Sequence, residues 1–180
     1  ETIFNVVSIM TGTGYAIGNF ETWGAFATPT FLALMFVGGC AGSTTCSIKI
    51  FRFQVLFASA QSQLRKLARP HRVAPARYAG KPLNPETINS VMAFFFLYIV
   101  SFLVLAVALS LTGLDGITAL SGAATAISNV GPGLGPIIGP AGNFAPLSDA
   151  AKWILAVGML AGRLELFTVL ILFSARFWRS

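Results

Sequence analysis

The chain has 180 residues, of which 55% are hydrophobic and 10% charged, and its formal net charge is +6. Soluble domains carry about 25% charged residues. This balance, with a mean hydropathy of +0.76, excludes an ordinary soluble domain and reads as an integral membrane protein. The positive charge is concentrated. Lys49, Arg52, Arg65, Lys66, Arg69, Arg72, Arg77 and Lys81 follow one another with no acid among them. Beside long apolar segments, the positive-inside rule explains such a cluster more simply than a nucleic-acid surface does. Membrane lipid is the expected partner, and nucleic acid is not.

A membrane span needs about 20 apolar residues, and runs of about 10–14 suggest re-entrant segments. The chain opens inside an apolar segment, without an initiator Met or a charged leader, so it is expected to be a piece of a longer protein. Residues 1–10 are too short to span and lead into TGTGY, within segment 11–16. A long apolar stretch, 28–66, is interrupted by the small and polar GGCAGSTTCS at 38–47 and then runs on toward the basic side. Its two cysteines, Cys40 and Cys46, form no CxxC pair, so packing is their expected role. Residues 67–86 form a basic linker, in which His71 is a solvated loop residue. An uninterrupted span follows at 88–112, and Asp115 stands near the start of a second short helix, 116–128. That helix leads into NVGPG at 129–133. The last helix, 151–176, holds Arg163 and Glu165 in its middle.

The order short helix, glycine motif, loop, long helix thus occurs twice, a weak internal repeat. The topology is consistent with it. A cytoplasmic linker sends helix 88–112 outward, and helix 116–128 dips in. Segment 134–150 has no Lys or Arg and returns to the outer side. Helix 151–176 then ends at Arg176 and Arg179, which puts the C-terminus in the cytoplasm of a multi-pass protein of the cell (plasma or inner) membrane. Trp23, Trp153 and Trp178 lie near predicted span ends, as interfacial anchors do. Phe94, Phe95 and Phe96 are expected to pack against lipid or neighbouring helices.

The glycine motifs have three physical readings. A dinucleotide fingerprint needs G-x-G-x-x-G, and it fails at Pro136 when started from Gly131 and at Ile138 when started from Gly133. Helix packing through GxxxG suits the pairs Gly38/Gly42 and Gly158/Gly162. It does not suit NVGPGLGPIIGP, because Pro132, Pro136 and Pro140 cannot all sit in a regular helix. Non-helical backbone at membrane depth must be buried in protein or line water. The third reading is an ion filter, in which main-chain carbonyls replace an ion's hydration shell. A short helix aiming its C-terminal end at the membrane centre would favour a cation there. The candidate ion-binding segments are Thr11, Gly12, Thr13, Gly14 and Tyr15, and Ser128, Asn129, Val130, Gly131 and Pro132. Gly14 and Gly131 fall at matching places.

On these residues the sequence resembles the Trk/Ktr/HKT family of potassium transporters. NVGPGLG followed by AGRLELFTVLILFSARFW is similar to the last repeat of that family, and GGCAGSTTCSIKIFR to its third inner helix. The resemblance covers essentially the whole chain. It implies an all-α membrane fold of helix–pore helix–filter loop–helix units of the potassium-channel type. Four such units surround one pore, and this chain would hold the last two, the first of these lacking its outer helix. Residues 1–66 would form the third repeat and 87–180 the fourth. The resemblance further implies potassium as the transported ion, with no cofactor in this chain, a homodimer of the full subunit and a cytoplasmic nucleotide-binding regulatory subunit. Gly12 departs from a common Thr and Ala175 from a common Pro. Glycine at the filter positions favours potassium over sodium in this family.

An arginine in a membrane helix marks function by default. Arg163 and Glu165 do not share a helical face, so Arg163 either faces a pore or belongs to a structural pair. The resemblance implies that it lies below the filter and touches a gating loop formed by Gly38, Gly39, Gly42, Ser43, Thr44 and Thr45. No nucleophile, acid–base pair or metal motif argues for an enzyme. A cation symporter driven by sodium or protons and a non-conducting structural subunit remain the alternatives.

Overall fold

The structure is a computed structural model that describes residues 1–69 and 75–164. Helix α1 covers Thr2–Thr11, a 3-10 turn covers Phe20–Trp23, and α2 covers Ala27–Phe36. After an irregular stretch comes α3, Ile50–Ala68. A two-stranded hairpin, β1 (Arg77–Tyr78) and β2 (Lys81–Pro82), precedes α4 (Pro85–Ser110), α5 (Gly116–Ser128) and α6 (Asp149–Arg163). The protein is helical, as its composition requires. The hairpin inside the basic linker was not expected. It pairs Arg77 with Pro82 and Tyr78 with Lys81. Its two turn residues, Ala79 and Gly80, both have positive φ, the backbone of a tight two-residue hairpin turn.

Helix starts follow from local chemistry. The side chain of Asn84 accepts the Glu86 N–H, and Pro85 occupies the first helical position of α4, where its missing N–H costs nothing. Asp115 caps α5 by accepting the Thr118 N–H, and Ser148 caps α6 by accepting the Ala151 N–H. Among the described residues, α4 is the one helix long and apolar enough to cross a membrane. The span expected at 28–66 is broken after Phe36. Much of the span expected at 151–176, with Glu165, Arg176 and Arg179, lies outside the described residues, as does His71.

Helix α5 is the centre of the fold. It packs against α2, α4 and α6, and every residue from Ser121 to Ser128 is buried. A helix enclosed on all sides must be thin. Its sequence, GITALSGAATAIS, is made of small side chains that let neighbouring backbones approach. Ala119, Ala123 and Ala126 join Ala106 and Leu109 of α4 and Ala151 and Leu155 of α6 in one apolar cluster. Ala124 faces a second cluster, built on Phe20, Phe31, Met35, Val130 and Leu134.

Enlarging this helix should therefore be costly. Ala123→Leu is expected to destabilise the full-length subunit by about 1–3 kcal/mol through overpacking. Thermal melting in detergent reads this directly, and an unchanged melting temperature would show that α5 is not enclosed.

Candidate functional site

Helices α1 and α5 end in the same way. Gly12 leaves α1 in the left-handed conformation, φ 71°, with its N–H on the Ile9 carbonyl. The next N–H, of Thr13, reaches the Ser8 carbonyl at 2.9 Å. Asn129 leaves α5 at φ 51°. Its N–H meets the Ala126 carbonyl at 3.2 Å, and the Val130 N–H meets that of Thr125 at 3.1 Å. Both ends are Schellman caps, which favour Gly first and Asn next. That gives Gly12 a backbone reason. Two residues on, Gly14 (φ 78°) and Gly131 (φ 116°) are again in positive φ, while the residues between are not. The two stretches share one backbone path.

The stretches also touch. A Cβ on Gly14 would collide with the Val130 carbonyl oxygen and stand 3.2 Å from Pro132 Cδ. A Cβ on Gly131 would lie 3.5 Å from Gly14 Cα. Only glycine permits this approach of one backbone to the other. Thr11 turns its hydroxyl to the Val7 carbonyl and to the Thr13 hydroxyl. Tyr15 is exposed. Ser128 is buried, with its Oγ 2.7 Å from the Tyr98 hydroxyl.

Their hydrogen bonds are one-sided. The N–H groups of Gly12, Thr13, Gly14, Asn129 and Val130 all turn back to carbonyls of α1 or α5. The Gly131 N–H donates to Thr125 Oγ1 at 2.9 Å. Among the described residues, no hydrogen bond ends on the carbonyls of Gly12, Thr13, Gly14, Asn129, Val130 or Gly131. Further on, Ser121 Oγ both accepts from the Leu134 N–H and donates to its carbonyl. Ser121, Thr125 and Ser128 thus form a hydroxyl stripe on α5, of which Ser121 and Thr125 hold the following loop and Ser128 bonds Tyr98 of α4. Sequence reasoning missed this support, although the spacing lies on one helical face.

The interruption between α2 and α3 is a constructed turn. Its incoming and outgoing ends lie side by side, with a parallel bridge between Val37 and Ile48. The Gly38 N–H bonds to the Ile48 carbonyl, the Ile48 N–H to that of Phe36, and the Ile50 N–H to that of Gly39. Ser47 Oγ donates to the Met35 carbonyl. Thr45 Oγ1 accepts the Gly39 N–H and lies 3.2 Å from Ser43 Oγ. The GxxxG reading fails here, because these residues are not helical and Gly42 has open space where a Cβ would stand. It holds on α6. There, Gly158 abuts Leu105 and Ala126, and Gly162 abuts the Ile127 carbonyl.

Arg163 reaches this turn. Its Nη1 donates to the Thr44 carbonyl at 3.1 Å and lies 3.6 Å from Cys46 Sγ. Arg163, Ser43, Thr44, Thr45 and Cys46 line a cavity of about 270 Å³ together with Lys49, Arg52, Phe94 and Tyr98. One turn earlier on α6, the Met159 carbonyl accepts from Asn129 Nδ2 at 2.9 Å. One helix therefore contacts both the second glycine stretch and the interrupted segment.

The family of TrkH cation transport proteins matches residues 1–180. The chain belongs to that family. It is 55% identical to the Trk system potassium uptake protein TrkI of Halomonas elongata over the whole of this chain and 37% of the relative. It is 38% identical to the Trk system potassium uptake protein TrkH of Vibrio parahaemolyticus, covering 36% of that protein. The crystal structure of the potassium transporter TrkH from Vibrio parahaemolyticus superposes with a TM-score of 0.88 at 38% identity, covering 98% of this chain and 37% of that one. The chain thus spans a little over a third of the length of these relatives. It is a membrane protein of the TrkH type.

The hydroxyl stripe carries a direct expectation. Thr125→Val should leave the Gly131 N–H without its acceptor and cost about 1–3 kcal/mol, while Thr125→Ser should restore most of that. Melting temperatures of the two variants check it, and equal losses would exclude the hydroxyl as the cause.

Proposed function

We propose that this chain supplies part of a potassium-permeation path, with main-chain carbonyls of Gly12, Thr13, Gly14, Asn129, Val130 and Gly131 as ion ligands. The observation that carries this reading is the one-sided hydrogen bonding. The N–H groups of Gly12, Thr13, Gly14, Asn129, Val130 and Gly131 are used by the short helices, and among the described residues the carbonyls of the same six are left open. Such a surface suits a cation and repels an anion. Backbone carbonyls act in this way in ion filters, and the C-terminal ends of α1 and α5 add negative potential. The potassium uptake named for the relatives agrees with this chemistry.

On this reading, residues 1–66 and 87–180 are the last two of four pore units, with α1 and α5 as pore helices. The rest of the subunit completes the ring upstream. The full subunit is a multi-pass protein of the plasma membrane, with its C-terminus in the cytoplasm. It forms a homodimer and carries a cytoplasmic nucleotide-binding regulatory subunit. The turn at 38–47 and Arg163 form a barrier below the filter. The Arg163 contact with the Thr44 carbonyl supports the pairing of these two elements, and a fixed cation on the path opposes a passing one.

Two measurements test the reading in full-length protein reconstituted in liposomes. Gly131→Ser should weaken potassium preference, read as rubidium uptake with sodium competing; unaltered preference would remove the assigned filter. Arg163→Ala should raise the uptake rate, and an unchanged rate would leave Arg163 a structural role only.

A further inference from the structure

The segments that follow the two glycine stretches meet through one carboxylate. Glu21 sits in the 3-10 turn Phe20–Trp23, which is built locally. Asn19 Oδ1 accepts the Glu21 N–H, and Thr22 Oγ1 donates to the Asn19 carbonyl at 2.7 Å. On either side of Glu21 is an anchored aromatic ring. Phe20 is fully buried and stacks on Phe31, with centroids 4.0 Å apart. Trp23 packs against both, at 6.3 Å from Phe20 and 6.0 Å from Phe31. The backbone that carries Glu21 is therefore fixed to the apolar cluster that also holds Val130 and Leu134.

From this mount Glu21 Oε1 accepts the Gly135 N–H at 2.6 Å, joining residues 114 apart in sequence. Gly135 follows Leu134, which Ser121 already grips from α5. The Gly139 N–H closes back on the Gly135 carbonyl at 3.0 Å. A Cβ on Gly139 would meet that carbonyl and would stand only 2.7 Å from Glu21 Oε2. The carboxylate thus fits a notch that glycine leaves open. Segment 134–150 has no Lys or Arg, so what it offers Glu21 is main chain. A hydrogen bond to an ionised acceptor is roughly twice as strong as a neutral one, and partial burial strengthens it further.

We propose that Glu21 is a positioning residue for cation selectivity. It ties the loop behind TGTGY to the loop behind NVGPG and holds the facing backbones of Gly14 and Val130 in register. It does not touch the ion. The inference rests on the filter reading above. A carbonyl site discriminates only while its ligands are held to within about half an ångström, and Glu21 supplies that restraint across the two halves of the chain.

The test uses the full-length subunit in liposomes, with rubidium uptake competed by sodium. The ratio of the two ions reports geometry and is independent of how much protein is active. Glu21→Ala should lower discrimination against sodium about ten-fold, the size expected for loss of one charge-assisted bond. Glu21→Gln keeps a neutral acceptor at the same reach and should lose only about three-fold, because a neutral bond is about half as strong. Gly139→Ala, which pushes into the notch, should behave like Glu21→Ala. Should Glu21→Ala fail to yield monodisperse protein, Glu21→Asp, whose shorter arm cannot reach Gly135, carries the same expectation. Parental selectivity in these variants beside its loss in Gly131→Ser would overturn the role of Glu21 and leave the filter standing. Parental selectivity in Gly131→Ser as well would remove the filter itself. An equal loss in Glu21→Gln and Glu21→Ala would overturn the hydrogen bond and point to charge alone.

Discussion

Everything in this structure depends on where the backbone donors of two short loops are spent. In water an exposed loop satisfies its N–H and C=O groups alike. Here the donors of Gly12 to Gly14 and of Asn129 to Gly131 are committed to α1 and α5, and among the described residues their carbonyls accept no hydrogen bond. The Schellman caps at Gly12 and Asn129 start this asymmetry, because they turn the chain sharply while consuming N–H groups. The positive φ at Gly14 and Gly131 continues it. Each loop alone is an ordinary helix ending; the two together set unbonded carbonyls on neighbouring backbones, the face that the proposed filter uses.

That face needs a stiff frame, and the frame comes from unlike materials on two sides. On the α5 side it is polar and small. Ser121, Thr125 and Ser128 bond the loop or its neighbours, and the alanines let α2, α4 and α6 close in. On the α1 side it is aromatic. Phe20, Trp23 and Phe31 fix the turn beyond the first glycine stretch. A membrane interior offers no hydrophobic drive between helices, so association relies on packing and on hydrogen bonds between elements. Both are visible here, in the alanine packing around α5 and in the bond from Glu21 to Gly135.

Much of the architecture was legible in one sequence because membrane helices obey simple length rules. The uninterrupted apolar run that became α4 and the small-residue break after Phe36 both stand out by composition. Asp115 announced the start of α5. Less legible was the nature of the break. Gly38 and Gly42 have the spacing of a helix contact, and only the pairing of Val37 with Ile48 shows that the chain is not helical there. The hairpin at 77–82 was hidden because a basic linker looks alike whether ordered or not. At the site, the glycines betrayed their unusual backbone, since few other residues serve there. Their supports did not, for a physical reason. Thr125 and Ser121 look like ordinary small residues of a membrane helix. Glu21 acts on a segment more than a hundred residues away, and no local pattern can register that.

The turn between α2 and α3 has one more implication. Its two ends are zipped by reciprocal main-chain bonds and by the Ser47 hydroxyl on Met35. A segment held like this resists gradual stretching. Were it to act as the proposed gate, it would change by breaking several bonds at once, as packed and paired elements generally do. Arg163, fastened to the Thr44 carbonyl, would feel such a change as a latch feels a door. On the proposed gate reading, the electrical signature would be a current that jumps between fixed levels and does not drift between them.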